Sequence, residues 1–447
     1  MTATIEAAPP TSVTRREQRR VLVGTMVGTT IEWYDFFIYA QAAGLVLAGL
    51  YFAPLASNNA PLAQLIAWAS LGISFLFRPL GAIVAGHLGD RIGRKAMLVF
   101  TLVVMGAATA LIGLLPTFDQ IGVLAPVLLI VLRILQGFSA GGEWGGAALL
   151  SVEHAPTNKR GFFGAYPQIG VPAGLILAAG VMLLVTTSMS SASFLAWGWR
   201  IPFLVSVILI IVGFIIRRSV DESPVFTEMR ARKKESAAPL KQLFTKHWRQ
   251  VVLTALIFIA NNAAGYLLIA FFSSFATKPV AAGGLGMERS PVLLASTIAA
   301  VFWLASTMAG GILSDKIGRI RTFQLGYLLL FVWAIPMFLL IGTGNIVLFA
   351  LALVILASAL GFSYGPQAAL YAEMFPAEVR YSGVSIGYAL GAILGGAFAP
   401  LIAQLLLDQT GWAPSIGLYI MGLAVISFIA VSLVKETKGI PLGVSEH

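Results

Sequence analysis

The sequence predicts an all-α polytopic membrane protein, with twelve transmembrane helices arranged as two six-helix bundles. Three observations carry that prediction. The 447 residues are 58% hydrophobic and only 11% charged, with a mean hydropathy of +0.88, whereas a soluble chain carries about 25% charged residues. Apolar runs long enough to cross the ~30 Å hydrocarbon layer recur along the whole chain. A short charged hinge, Gly86-His87-Leu88-Gly89-Asp90-Arg91-Ile92-Gly93-Arg94, returns 225 residues later as Gly311-Ile312-Leu313-Ser314-Asp315-Lys316-Ile317-Gly318-Arg319.

Taken in order, residues 1–20 read as a polar cytoplasmic tail. Apolar spans follow at 21–53, 62–86, 96–115, 121–149, 161–186, 200–216, 249–276, 291–313, 322–342, 346–371, 381–407 and 413–434. The first span is too long and too charged for a cleavable signal peptide. The longest polar stretch, 217–248, contains Arg232-Lys233-Lys234 and divides the spans six and six. The expected units are therefore an N-terminal bundle at 21–216, a cytoplasmic linker at 217–248, a C-terminal bundle at 249–434 and a cytoplasmic tail at 435–447.

Charge placement orients the set. Of the 29 Lys and Arg, 24 fall in segments that these boundaries put on one side: Arg15 to Arg20, Arg91 to Lys95, Lys159 and Arg160, Arg217 to Arg249, Lys316 to Arg321, Arg380, and Lys435 with Lys438. Only Arg200, Lys278 and Arg289 fall opposite, while Arg78 and Arg133 lie within spans. Positive charge concentrates on the cytoplasmic side, so both termini are expected there. The net charge of +10 is thus a topology signal and not a nucleic-acid footprint. The absence of cysteine rules out disulfides and thiolate metal sites. The four histidines lie in loops or at the terminus, so no metal site, cofactor or nucleophile–base set is expected, and the chain does not read as an enzyme. Its expected partners are the lipid bilayer and a small molecule, with no nucleic acid, and it is expected to act as a monomer.

Charges inside hydrocarbon are costly and mark function. Glu32 and Asp35 lie in the first span, Arg78 in the second, and Arg133 and Glu143 in the fourth. Asp35 and Arg133 both fall near the midplane and are expected to pair. Glu32 lies one helical turn from Asp35. The second half offers neutral polar and aromatic groups instead: Asn261, Asn262, Tyr266, Ser363, Tyr364, Gln367, Tyr371 and Tyr388.

The repeated G-x-L-x-D-x-x-G-R loop resembles the signature of the major facilitator superfamily, whose two halves are parallel repeats about an axis along the membrane normal. Four stretches narrow the resemblance to its metabolite:proton symporter family. They are Thr30-Ile31-Glu32-Trp33-Tyr34-Asp35-Phe36-Phe37, Phe75-Leu76-Phe77-Arg78-Pro79-Leu80-Gly81, Arg133-x-x-Gln136-Gly137 with Gly141-Gly142-Glu143-Trp144-Gly145-Gly146, and Trp197-Gly198-Trp199-Arg200-Ile201-Pro202-Phe203. Within that family the fourth span looks most like that of the shikimate permease.

The resemblance implies a bacterial inner-membrane symporter that works by alternating access. The proton is its coupling ion, carried at Asp35, Arg133 and Glu32. Arg78 is a fixed positive fork suited to a substrate carboxylate. Around it Trp33, Tyr34, Gln136, Glu143 and Trp144 join the second-half groups Asn261, Asn262, Tyr266, Tyr364, Gln367 and Tyr388 as expected substrate contacts. A zwitterion such as betaine would use the faces of Trp33, Tyr34 or Trp144 for its ammonium, and a proton-independent facilitator or antiporter is the rival mechanism. A further repeat, Glu153-x-x-Pro156-x-x-x-Arg160 and Glu373-x-x-Pro376-x-x-x-Arg380, completes an expected cytoplasmic gate. Its members are Asp90, Arg94, Glu153 and Arg160, mirrored by Asp315, Arg319, Glu373 and Arg380.

Overall fold

A computed structural model describes residues 14–57, 60–218, 221–231 and 239–442. Among them there is no strand. The run Arg232-Lys233-Lys234 lies outside the described residues.

The spans form long helices: α1 Arg15–Ala42, α2 Ala60–Ile92, α3 Arg94–Leu114, α4 Leu124–Glu153, α5 Arg160–Ser188, α6 Ile201–Arg218, α7 Trp248–Tyr266, α8 Arg289–Ile317, α9 Arg319–Ile341, α10 Ile346–Tyr364, α11 Arg380–Ala392 and α12 Pro414–Ser432. Helix α7 continues through Leu267–Phe271 and Phe272–Thr277, α10 through Gln367–Met374, and α11 through Ile393–Ala397 and Ala399–Thr410. Eleven of these runs are long and apolar enough to cross a membrane. They become twelve when Arg15–Ala42 and Val46–Phe52, bent by 69°, count as one span.

Local chemistry sets the boundaries. Thr14 and Glu17 form a reciprocal capping box at the start of α1, which satisfies backbone donors the helix leaves open. Asn345 caps α10 by accepting from Val347 and Leu348. The last glycine of each repeated hinge, Gly93 and Gly318, adopts φ of 111° and 103°. That left-handed region is open to glycine at little cost, and here it lets α2 turn into α3 and α8 into α9 without a loop. Large apolar side chains such as Leu114, Leu184, Ile208 and Val347 point outward, as lipid contact requires.

The two halves repeat each other in packing. In the first, α1 lies on α5, α2 and α3 on α4, and α3 on α6. In the second, α7 lies on α11, α8 and α9 on α10, and α9 on α12. Between the halves, α5 packs on α8 and α2 on α11, again a symmetric pair. Backbones approach closely along both seams. A Cβ at Gly311 would lie 2.6 Å from the Gly161 carbonyl oxygen, and one at Gly86 would lie 2.8 Å from the Ser382 Cα.

Candidate functional site

At the paired-loop end, charged side chains bridge the halves. Glu153 ends α4 and takes Arg380 from the second half at 3.2 Å. Glu373 takes Arg160 from the first half at 3.5 Å and Arg319 at 3.2 Å. Asp315 binds Arg319 at 2.7 Å and accepts from the backbone N–H groups of Gly161 and Phe162 at 2.8 Å each. It therefore holds the first turn of α5, where the helix dipole favours a carboxylate. The side chains of Asp90 and Arg94, expected to mirror Asp315 and Arg319, lie outside the described residues.

Two segments read from sequence as linker and tail also enter this cluster. Glu222 accepts from the Lys95 N–H and Ser223 donates to Glu153. Their counterparts after α12 are Glu436, which accepts from the N–H groups of Arg319 and Ile320, and Thr437, which donates to Glu373. The tail then crosses the seam, where Arg160 donates to the Ile440 carbonyl and Arg380 to that of Leu442. Glu-Ser and Glu-Thr after the sixth and twelfth spans were a readable repeat in the sequence, but two residues carry too little pattern to single out unaided.

Between the halves is a narrow cavity. Of the expected substrate contacts, Trp33, Asn261, Asn262, Tyr266, Tyr364 and Tyr388 line it. Phe258 and Trp303 line it as well, and sequence reading missed them because they look like ordinary lipid-facing or core aromatics. Asn261 donates to the Leu360 carbonyl and to Ser363, and Asn262 to the Ala392 carbonyl. Trp144 does not line the cavity but stacks on Tyr388 with centroids 3.9 Å apart, and its indole N–H donates to Gln168. Gln168 also donates to Gln367 and to the Tyr364 carbonyl, so a polar chain crosses from one half to the other.

Arg78 does not line the cavity but packs behind its wall, against Trp33. Its guanidinium carbon lies 4.5 Å from the Phe75 ring centroid, 5.4 Å from that of Phe36 and 5.5 Å from that of Trp33. Arg78 is 2% exposed and its Nε has no hydrogen-bond partner. Among the described residues no carboxylate lies within ion-pair distance of it.

The expected Asp35–Arg133 pair does not form. Asp35 accepts from Ser206 on α6, while Arg133 donates to Gln136 and Ser74 at 2.8 Å each and lies over the Tyr39 ring at 3.9 Å. The two share a depth but point to different neighbours, because helical depth says nothing about azimuth. Gln136 is thereby occupied with Arg133 and, through Nε2, with Thr109, and Tyr34 donates to the Pro202 carbonyl. Neither lines the cavity. Glu143 is also turned away from it. It accepts from Thr101 at 2.7 Å and forms a buried ion pair with Arg217, a residue assigned from sequence to the linker.

Comparison with known proteins agrees with this architecture. The model of the Major Facilitator Superfamily matches residues 25–393. The chain is 40% identical to the inner membrane metabolite transport protein YhjE of Escherichia coli K12, over 94% of this chain and 95% of the relative. It is 35% identical to the E. coli shikimate transporter, over 94% and 95%, and 34% identical to the E. coli proline/betaine transporter, over 95% and 85%. Among solved structures, the proton:xylose symporter XylE bound to 6-bromo-6-deoxy-D-glucose superposes with a TM-score of 0.78 at 18% identity, covering 96% of this chain and 98% of that one. With the duplicated helical halves and the central cavity between them, these matches establish that the chain belongs to the Major Facilitator Superfamily and is a transporter, not an enzyme.

Proposed function

We propose that this protein is a proton-coupled symporter of a small carboxylate-bearing metabolite, with the paired-loop face cytoplasmic. The observation that carries the reading is Arg78, a buried guanidinium with no carboxylate within ion-pair distance among the described residues, held by the rings of Phe36, Phe75 and the cavity-lining Trp33. A buried charge without a counter-ion is costly, and a substrate carboxylate supplies that counter-ion while the site is occupied. The Asn261 and Asn262 oxygens suit hydroxyl donors, as on a polyhydroxylated ring acid such as shikimate. Coupling is assigned to Asp35 and Glu32, buried carboxylates in the same bundle. The latch of Glu153–Arg380, Arg160–Glu373 and Asp315 would close the cytoplasmic exit while the site faces out. The shikimate, proline/betaine and xylose transporters among its relatives and neighbours support a small polar metabolite as cargo.

A second reading, a zwitterion such as glycine betaine, is favoured by the rings of Phe258, Tyr364, Tyr388 and Trp303, which can face an ammonium. Both substrates place a carboxylate at Arg78. Uptake of labelled shikimate and of glycine betaine into proteoliposomes, with and without an acid-outside gradient, tests the proposal. Gradient-driven accumulation of shikimate is expected, and accumulation of neither under a gradient would overturn the reading. Because Lys keeps the charge but loses the bidentate fork, Arg78→Lys should weaken apparent affinity for the accumulated substrate about tenfold, and Arg78→Ala should remove measurable binding.

A further inference from the structure

Inside the N-terminal bundle, apart from the central cavity, Glu32, Asp35, Thr101 and Glu143 line a second, small cavity. All three carboxylates are at least 97% buried. Glu32 Oε2 and Asp35 Oδ2 have no hydrogen-bond partner. Glu143 is different, because the Arg217 guanidinium grips both of its oxygens and also donates to the Leu98 carbonyl. Arg217 reaches this position from the last turn of α6 by passing over Gly28. A Cβ there would fall on the guanidinium, so the glycine one turn before Glu32 makes a berth for it.

Charges converge on Glu32 from every side of α1. Asp35 shares its helix, Arg78 comes from α2 and Arg217 from α6. Helix α3 contributes Thr101 and α4 contributes Glu143. Helix α5 has no charged residue beyond Arg160 in its first turn, and the second-half tyrosines Tyr364 and Tyr388 line the central cavity and not this one. Buried Arg133 is turned instead to Gln136, Ser74 and the Tyr39 ring, so the groups gathered about Glu32 are three carboxylates against two guanidiniums, Arg78 and Arg217. An apolar interior tolerates little net charge, so the set is neutral when it holds one proton.

We propose that Arg217 is the positioning residue of this proton site: its pair with Glu143 limits the carboxylate cluster to a single exchangeable proton, and its place beside Leu98 sets the route by which that proton leaves. This rests on the reading of Asp35 and Glu32 as the coupling carboxylates. The proton leaves a Glu32 or Asp35 carboxyl, which becomes a carboxylate. It passes Arg217, whose berth over Gly28 lies one turn nearer the paired-loop end of α1 than Glu32, and enters water on that face. A substrate carboxylate that occupies Arg78 withdraws one positive charge from the count, so substrate binding holds the proton in place and substrate release frees it.

The test is infrared titration of the full chain in proteoliposomes, following the carbonyl stretch of buried protonated carboxyl groups as pH rises. Wild type should lose one such band, and Glu32→Gln or Asp35→Asn should remove or displace it. Glu143→Gln removes one negative charge and should lower the pH at which the band is lost by at least one unit, a tenfold loss in proton affinity. Arg217→Gln alone leaves Glu143 buried and unpaired and risks the fold, so the informative partner is the double variant Glu143→Gln/Arg217→Gln. It restores the excess of one carboxylate and should return the transition to within half a unit of wild type. A Glu143→Gln transition at the wild-type pH, or a double variant that stays with the single one, would overturn the role of Arg217. A wild-type band insensitive to both Glu32→Gln and Asp35→Asn would instead overturn the coupling assignment, and the Arg217 inference with it.

Discussion

Replacing Gly311 with Ala should open the paired-loop face, because the added methyl has nowhere to go while α5 and α8 remain in contact. Its Cβ would lie 2.6 Å from the Gly161 carbonyl oxygen and 2.7 Å from the Ala165 Cβ, against the 3.4 Å at which ordinary contact begins. The helices must therefore part by several tenths of an ångström. That movement lengthens the two 2.8 Å bonds from Gly161 and Phe162 to Asp315, which lie on the same seam. Overpacking of this kind costs about 1–3 kcal/mol, a shift of roughly 5- to 150-fold in the ratio of closed to open. The gain in helix propensity from Gly to Ala, about 1 kcal/mol, applies to both states and cancels.

The chain has no cysteine, so a single Ser385→Cys substitution gives an unobstructed reporter. Ser385 is fully buried with its hydroxyl against Gly145 on the opposite half. With Gly311→Ala in that background, labelling of position 385 by a maleimide should accelerate by about the factor above. Gly180→Ala is the control, since no atom lies within 4 Å of a Cβ there, and it should leave the rate unchanged. If Gly311→Ala labels no faster than its parent, the seam at Gly161 does not hold this face closed.

Two further outcomes follow from the same geometry. Asp35→Asn mimics a permanently protonated carrier, so it should still exchange labelled for unlabelled substrate but should fail to accumulate it on an acid-outside gradient, and accumulation at the wild-type level would reduce Asp35 to a structural partner of Ser206. Glu436→Gln weakens the carboxylate that accepts from the first two backbone N–H groups of α9. Charge-assisted bonds at a helix start are worth about 0.3–1 kcal/mol, so labelling at position 385 should rise about two- to fivefold, and an unchanged rate would show that the tail does not brace the latch.

Much of this architecture is legible in order along the chain because bilayer physics acts on single segments. A span must be apolar for about twenty residues and must satisfy its own backbone, so composition places helices one at a time. The repeated hinge is legible for a related reason. Gly93 and Gly318 both need positive φ, and Asp315 needs a helix start to hold, so the loop survives duplication as a recognisable string.

Side-chain partnership is a different kind of fact. Asp35 and Arg133 have matching depth in sequence, yet which way each points depends on how α1 and α4 are rotated against α2 and α6, and those rotations come from packing of the whole bundle. Arg217 makes the point most sharply. At the end of an apolar run it counts as one more positive charge near the membrane surface, and only the room at Gly28 and the presence of Glu143 turn it inward. The cavity walls are undecidable from sequence for the same reason, since Phe258 and Trp303 face the centre while equally apolar neighbours such as Val252 and Phe302 face outward. Sequence by itself determined the helices, their duplication and the inventory of buried charge, because those depend on each segment's free energy in lipid. Tertiary structure alone decided which charges meet and which aromatic rings enclose the cavity, because those depend on distances between segments far apart in the chain.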